Sequence, residues 1–177
     1  MLRLTLVALA AAFLLAACTS IDRPTIQTDE VPLPTPLRSF DASVAGTIGQ
    51  LEAAVAAVGE RLETPSGGYR PSEPESLLQM PRVIRRAQLA DPDDAYVVIY
   101  ETAGQGDAQE QAQVLADYLG SGFGQTNFPA DTQFSVGVLD DTVIFTTRSS
   151  RRSDDPERAE AVFDAIAAVG EPVEVNK

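Results

Sequence analysis

"TQFSVGVLDDTVIFTT", residues 132–147, decides the fold. Two β-branched and aromatic runs flank Asp140-Asp141, and a two-residue loop there pairs Leu139 with Thr142, Val138 with Val143, Val136 with Phe145 and Phe134 with Thr147. The two-residue period of a strand then puts Phe134, Val136, Val138, Val143 and Phe145 on one face, as a half-buried sheet requires. Asp-Asp is a poorer turn than Asn-Gly, so a longer loop stays open.

Upstream, "YVVIYE", residues 96–101, is apolar on both faces and reads as a central strand. Between it and the hairpin, Asp107 to Leu119 has helical signals: the D-x-x-E spacing of Asp107 and Glu110 predicts a capping box, with Ala108, Ala112, Leu115 and Leu119 as the inner stripe. "GSGFG", residues 120–124, closes that helix instead of opening one, so a C-terminal cap at Gly120 and a flexible loop is the better reading than a phosphate cradle. Downstream, Asp155 caps a helix whose first turn holds Pro156. Ala159, Val162, Phe163 and Ile166 form its buried stripe, and Gly170 with Pro172 stops it.

Working further toward the N-terminus, "RVIRRAQLA", residues 82–90, is open between a strand and a helical turn, and residues 64–82 are loop-like, punctuated by proline and glycine. From Asp41 to Leu62 the spacing of Val44, Ile48, Leu51, Val55, Val58 and Leu62 predicts one helix, capped by Ser39 or Asp41, although Gly46, Gly49 and Gly59 weaken it. This stripe suits docking on its own domain, while a coiled-coil seam with a partner helix stays open. The fold class expected is α+β: a β-α-β-β-α core with a sheet of three to four strands, helices on one face, and the helix 41–62 before it.

Composition narrows the chemistry. The 177 residues carry a formal net charge of −13, and a surface so acidic repels phosphate backbones, which argues against nucleic acid as a partner. The chain has no histidine, so the commonest general base and neutral metal ligand is missing. Lys177 is the last residue, and no G-x-S-x-G elbow appears. The acids Asp91, Asp93, Asp94, Asp140, Asp141, Asp154 and Asp155 sit where turns and caps want them. "DPDD", residues 91–94, lacks the glycine and distal glutamate of a calcium loop. Two arginine clusters, Arg82, Arg85 and Arg86 and then Arg148, Arg151 and Arg152, read as solvated ion-pairing partners. No catalytic, metal or cofactor residue is assigned.

The sole cysteine lies in "LLAACTS", residues 14–20. Met1-Leu2-Arg3 is a basic start, and Leu4 to Ala17 is apolar except for Thr5. Its fourteen residues span roughly 21 Å as a helix, short of a ~30 Å hydrocarbon core, which suits a signal peptide better than a membrane span. Leu15-Ala16-Ala17-Cys18 resembles the lipobox of bacterial lipoproteins. That resemblance, confined to residues 1–18, implies cleavage after Ala17 and lipid attachment (diacylglyceryl, then an acyl chain such as palmitate) at Cys18. It also implies an extracytoplasmic protein on the cell membrane or outer membrane, and Thr19 after the cysteine resembles the signal for outer-membrane sorting. One acyl chain holds only marginally, whereas two or three anchor stably.

The organisation expected is therefore a signal peptide at 1–17, a proline-rich tether at 18–39 and one α+β domain at 40–177. The tether would be stiffened toward polyproline II by Pro24, Pro32, Pro34 and Pro36. Three function classes follow. The first is a non-enzymatic, lipid-anchored accessory or binding domain with an envelope protein as a candidate partner. The second is an assembly lipoprotein acting through residues 41–62, and the third a carboxylate-dependent envelope hydrolase. Ligand and oligomeric state are not legible.

Overall fold

The hairpin closes on Asp140 and Asp141, with Leu139 opposite Thr142 and the register continuing to Gln133 opposite Arg148. Asp140 takes φ +53°, the left-handed conformation that a tight hairpin turn demands and aspartate tolerates. In this computed structural model the described residues are 41–67, 69, 71–89, 95–151 and 153–176. The expectations for Cys18, the signal peptide, the tether, and Asp91, Asp93 and Asp94 lie outside them.

In chain order the elements are α1 (Ala42–Ala57), β1 (Leu62–Glu63), α2 (Glu75–Leu78), β2 (Arg82–Ala87), β3 (Tyr96–Glu101) and α3 (Gln105–Gly120). They continue with α4 (Gly122–Gln125), β4 (Gln133–Leu139), β5 (Thr142–Arg148), α5 (Pro156–Ala167) and β6 (Glu171–Val173). The six strands form one sheet in the order β1-β2-β3-β5-β4-β6, every neighbouring pair antiparallel. The architecture is α+β, but six strands replace the three to four expected. Residues 82–87 are a strand, and the edge strands β1 and β6 are too short to show an alternating pattern.

The helices cover both faces, not one. On one face α1 and α5 bury Val44, Leu51, Val55, Val162 and Ile166 against Val97, Ile99 and Ile144. On the other, α3 buries Ala108, Ala112, Leu115 and Leu119 against Val98, Tyr100, Val136, Val138, Val143 and Phe145. Topology explains this arrangement. The β3-α3-β4 connection steps over β5, and β5-α5-β6 steps over β4 in the same direction across the sheet. Because β3 and β5 are antiparallel, two crossovers of one hand must place their helices on opposite faces.

Helix ends account for the remaining differences. The Asp41 carboxylate caps α1 by accepting from Ala42 N at 2.6 Å. The helix stops at Ala57, not Leu62, because Gly59 takes φ +84° and Glu60 N donates to Val55 O at 3.1 Å, a Schellman closure. Val58 is consequently 40% exposed, Thr47 is buried ahead of Ile48, and Leu62 joins β1. Gly104 occupies the N-cap of α3, so Asp107 is not a cap; it lies inside the first turn and accepts from Ala103 N at 2.9 Å. Asp155 caps α5 as its sequence suggests, accepting from Arg158 N at 3.1 Å. Gly170, at φ +86°, turns the chain into β6 where a Cβ would meet Val138 O at 2.6 Å.

Candidate functional site

Among the described residues two acids are buried, neither of them among the aspartates singled out from sequence. Glu73 has a fully buried side chain in the loop before α2, and it accepts from Arg82 on β2 and from the Tyr100 hydroxyl on β3. Burial first, then the bond to and charge of Glu73, push the Tyr100 phenol well above its ordinary range. Burial opposes charge on Arg82, but the bond to and charge of Glu73 outweigh it and raise that pKa too. The network also fixes the segment 71–80 on the α3 face, helped by Ser72 Oγ at 2.5 Å from Tyr118 Oη and by buried Leu77.

The second acid, Glu60, is held by Arg158 of α5 on the opposite face of the sheet. The two carboxylates are thus separated by the sheet and each is tied to an arginine. The arginines meet the ion-pairing expectation in part: Arg82 pairs with Glu73, and Arg148 Nη1 lies 3.4 Å from the exposed Glu160 carboxylate, but both arginines are more buried than a solvated pair. Arg148 is 7% exposed, donating to Gln133 Oε1 at 2.9 and 3.2 Å and to Pro156 O at 3.3 Å. Arg85 donates to Ile84 O, and Arg86 lies over the Tyr96 ring, 5.8 Å from its centroid, with Tyr96 itself stacked on Tyr69. Asp140 and Asp141 form the hairpin turn, while Asp154 and Asp155 open α5. Among the described residues no group of three or more cysteine, aspartate or glutamate side chains is arranged to hold a metal ion, and no helix is long and apolar enough to cross a membrane.

Among the described residues, a concave surface lies where α3 hands over to β4. "GSGFG" is not a loose loop. Ser121 caps a helical turn by accepting from Gly124 N at 3.1 Å, and a Cβ on Gly124 would fall 2.0 Å from Tyr118 O. That close approach forces glycine and leaves Phe123 outside, 73% exposed, with its ring edge-to-face with Tyr118. Phe128 folds back edge-to-face onto Phe134 at 5.0 Å. Asp131 then fastens the loop to residues 149–151, its carboxylate accepting from Ser149 Oγ, Ser150 Oγ and Arg151 N at 3.0–3.1 Å. Partial desolvation opposes ionisation there, yet those three donors hold the Asp131 carboxyl below its usual range.

Three adjoining depressions result. One of about 370 Å³ lies between α4 and Phe134, and Phe134 also lines a second, of about 330 Å³, reaching Phe163 and Val175. A third, of about 510 Å³, lies on the far side of the Thr126–Ala130 ridge toward Arg151. Phe163, expected in the α5 stripe, is half-buried and lines this groove. Read along the chain, "GSGFGQTNFPA" looks like a helix stop followed by a loop. Its signal as a surface is the absence of any charge between Asp117 and Asp131 in so acidic a chain.

The groove lies toward one end of the sheet: Thr47 of α1 bonds Thr142 at 2.9 Å, whereas the groove gathers around Phe134, opposite Thr147, about 17 Å along the strands. No protein-family model, curated protein or solved structure matches this chain.

Proposed function

We propose that this chain is a lipid-anchored, non-enzymatic binding domain of the bacterial cell envelope, held through Cys18 and binding through the aromatic groove between residues 122 and 134. The observation that carries the reading is the start of the chain: an apolar run too short to span, followed at once by Leu15-Ala16-Ala17-Cys18. The domain itself adds one support. The two buried carboxylates are each neutralised by an arginine on opposite faces, which suits structural locks better than an acid–base pair. The assembly reading through residues 41–62 is less well supported, because Val44, Leu51 and Val55 are already buried in the domain's own core.

Intact mass of protein from the membrane fraction tests the anchor. The chain should begin at Cys18 and carry at least two acyl groups, and Cys18→Ala should leave an uncleaved precursor. An unmodified thiol, or cleavage elsewhere, would defeat the assignment.

A further inference from the structure

The sheet is unfinished along the outer edge of β2, and we infer that this edge takes up an extended acidic segment of another protein as an added strand. Two strands, β3 and β5, separate β2 from β4 and the groove, so the inference rests neither on that site nor on Cys18.

The register shows which backbone groups are left over. Ala87 N donates to Ala95 O and Glu101 N to Pro81 O, so residues 81, 83, 85 and 87 turn their backbone polar groups toward β3. Arg82, Ile84 and Arg86 therefore turn theirs the other way. The neighbour on that side, β1, is two residues long and reaches Arg86 through Glu63. Continued in the same register, β1 would set Pro65 opposite Ile84 and Gly67 opposite Arg82. Proline has no N–H to give the Ile84 carbonyl, and nothing lies within 4 Å of where a Cβ on Gly67 would be, so the chain has left the edge. Among the described residues, Arg82 and Ile84 have no backbone partner on that side. The Ile84 carbonyl instead accepts from Arg85 Nη1 at 3.1 Å. Residues 82–85, roughly 13 Å of strand, are thus open to pairing, and main-chain pairing at an open edge is a general way for sheets to bind extended peptides.

Charge selects the occupant. The chain has 26 acids against 13 bases, yet the adjacent Arg85 and Arg86 have no acid bonded to them among the described residues. Arg86 donates to Leu89 O at 3.4 Å, and its Nε has no partner. Arg82, by contrast, is neutralised by Glu73. Alternation then fixes the pattern of the incoming strand. Val83 packs on the α1 face and Ile84 on the α3 face, so Arg85 shares the face of Val83. An added strand with acids on one face and apolar residues on the other sets a carboxylate beside Arg85 and an apolar side chain beside half-buried Ile84. Its N–H replaces Arg85 on the Ile84 carbonyl, and the released guanidinium turns to the carboxylate. A second copy of the chain fits less well, because joining β2 to β2 gathers the arginines of both copies along one edge.

The full-length protein in detergent micelles is titrated with three fluorescein-labelled heptapeptides: alternating valine and aspartate, alternating valine and lysine, and the aspartate peptide with every amide N-methylated. The aspartate peptide should raise the anisotropy saturably. It should also slow hydrogen exchange at the Arg82 and Ile84 amides, which exchange fast in the free protein. The other two peptides should not bind. Arg85→Gln should weaken binding about tenfold, and Arg85→Glu should abolish it and admit the lysine peptide. Ile84→Pro removes an outward N–H without breaking a bond to β3 and should abolish binding; if that variant does not fold, the N-methylated peptide puts the same question.

Equal binding of the lysine peptide or of the N-methylated one would overturn the inference, as would an Arg85→Glu variant that binds like wild type. So would Arg82 and Ile84 amides already slow in the free protein. Amides slowed by protein concentration alone would overturn it in favour of a second copy. No binding of the aspartate peptide would also overturn it, leaving the arginines as guards against edge pairing. The two amides report on this edge alone, so its failure is read separately from that of the groove or the anchor.

Discussion

Glu73 is buried and joins two strands through Arg82 and Tyr100, so its removal is the sharpest test of how the sheet is locked. In Glu73→Leu the Tyr100 hydroxyl loses its acceptor inside the α3-face core, and the Arg82 guanidinium loses its only charged partner among the described residues. Removing one member of a buried ion pair costs about 3–5 kcal/mol. The Arg82 side chain retains 18% exposure, so water softens its loss and the lower end, about 3 kcal/mol, is expected. Tyr100→Phe leaves the Glu73–Arg82 pair intact and removes one charge-assisted bond, for about 1.5 kcal/mol. The triple change Glu73→Leu, Arg82→Met, Tyr100→Phe removes every polar member at once and should come back to within about 1 kcal/mol of wild type. Urea unfolding followed by circular dichroism measures all three. If Glu73→Leu cost under about 1 kcal/mol, or if the triple variant were no better than the single one, the network would not be the lock described.

Four further outcomes are expected. Because Tyr100 has its pKa raised in the folded state, its contribution is complete below the unfolded value near 10 and declines above it, at about 1.4 kcal/mol per pH unit; unfolding curves from pH 9 to 11.5 should show this slope and Tyr100→Phe should remove its share. Asp131 has its pKa lowered, so its hold on residues 149–151 is present above the ordinary carboxyl value and is lost as pH falls through the folded one; hydrogen exchange at the Arg151 amide should quicken at that point, and in Asp131→Asn at all pH values. Gly170→Ala combines a left-handed backbone with a Cβ 2.6 Å from Val138 O and should cost about 2–4 kcal/mol in the same urea assay, whereas Gly46→Ala, with open space, should not destabilise. Leu51→Ala opens a cavity in the α1 layer and should cost about 2–5 kcal/mol, while Phe123→Ala should stay within about 0.5 kcal/mol.

What the sequence disclosed, and what it hid, follows from the range over which each force acts. The hairpin register was legible because a strand alternates every residue and Asp140-Asp141 fixes the phase, so Phe134 to Thr147 could be paired by counting. The stripes of α3 and α5 were legible for the same local reason, through Ala108, Ala112, Leu115 and Leu119 and through Ala159, Val162 and Ile166. The end of α1 was misjudged because an apolar spacing continues past Gly59. A left-handed glycine stops a helix whatever the side chains beyond it prefer.

The misplacement of the helices has a different origin. Which face a helix covers depends on where its two flanking strands lie in the sheet, and that is set by pairings far apart in sequence. The strand β6, three residues long and carrying Pro172, decides the matter here. By joining β4 on the side away from β5, it makes the second crossover step the same way as the first. Had the chain after β5 crossed the sheet in the other direction, the same hand would have put α5 beside α3 and left the α1 face to one helix. Glu73 was hidden for a like reason, since nothing in "PSEPES" distinguishes the acid that Arg82 and Tyr100 await from the one that faces water. The groove follows from the same placement. With α3 and α5 on opposite faces, Phe134 of β4, Phe163 of α5 and Val175 line one depression, and Phe134 also lines the one that reaches Gly122. A strand of three residues, with no readable period of its own, thus decides the layering of the domain.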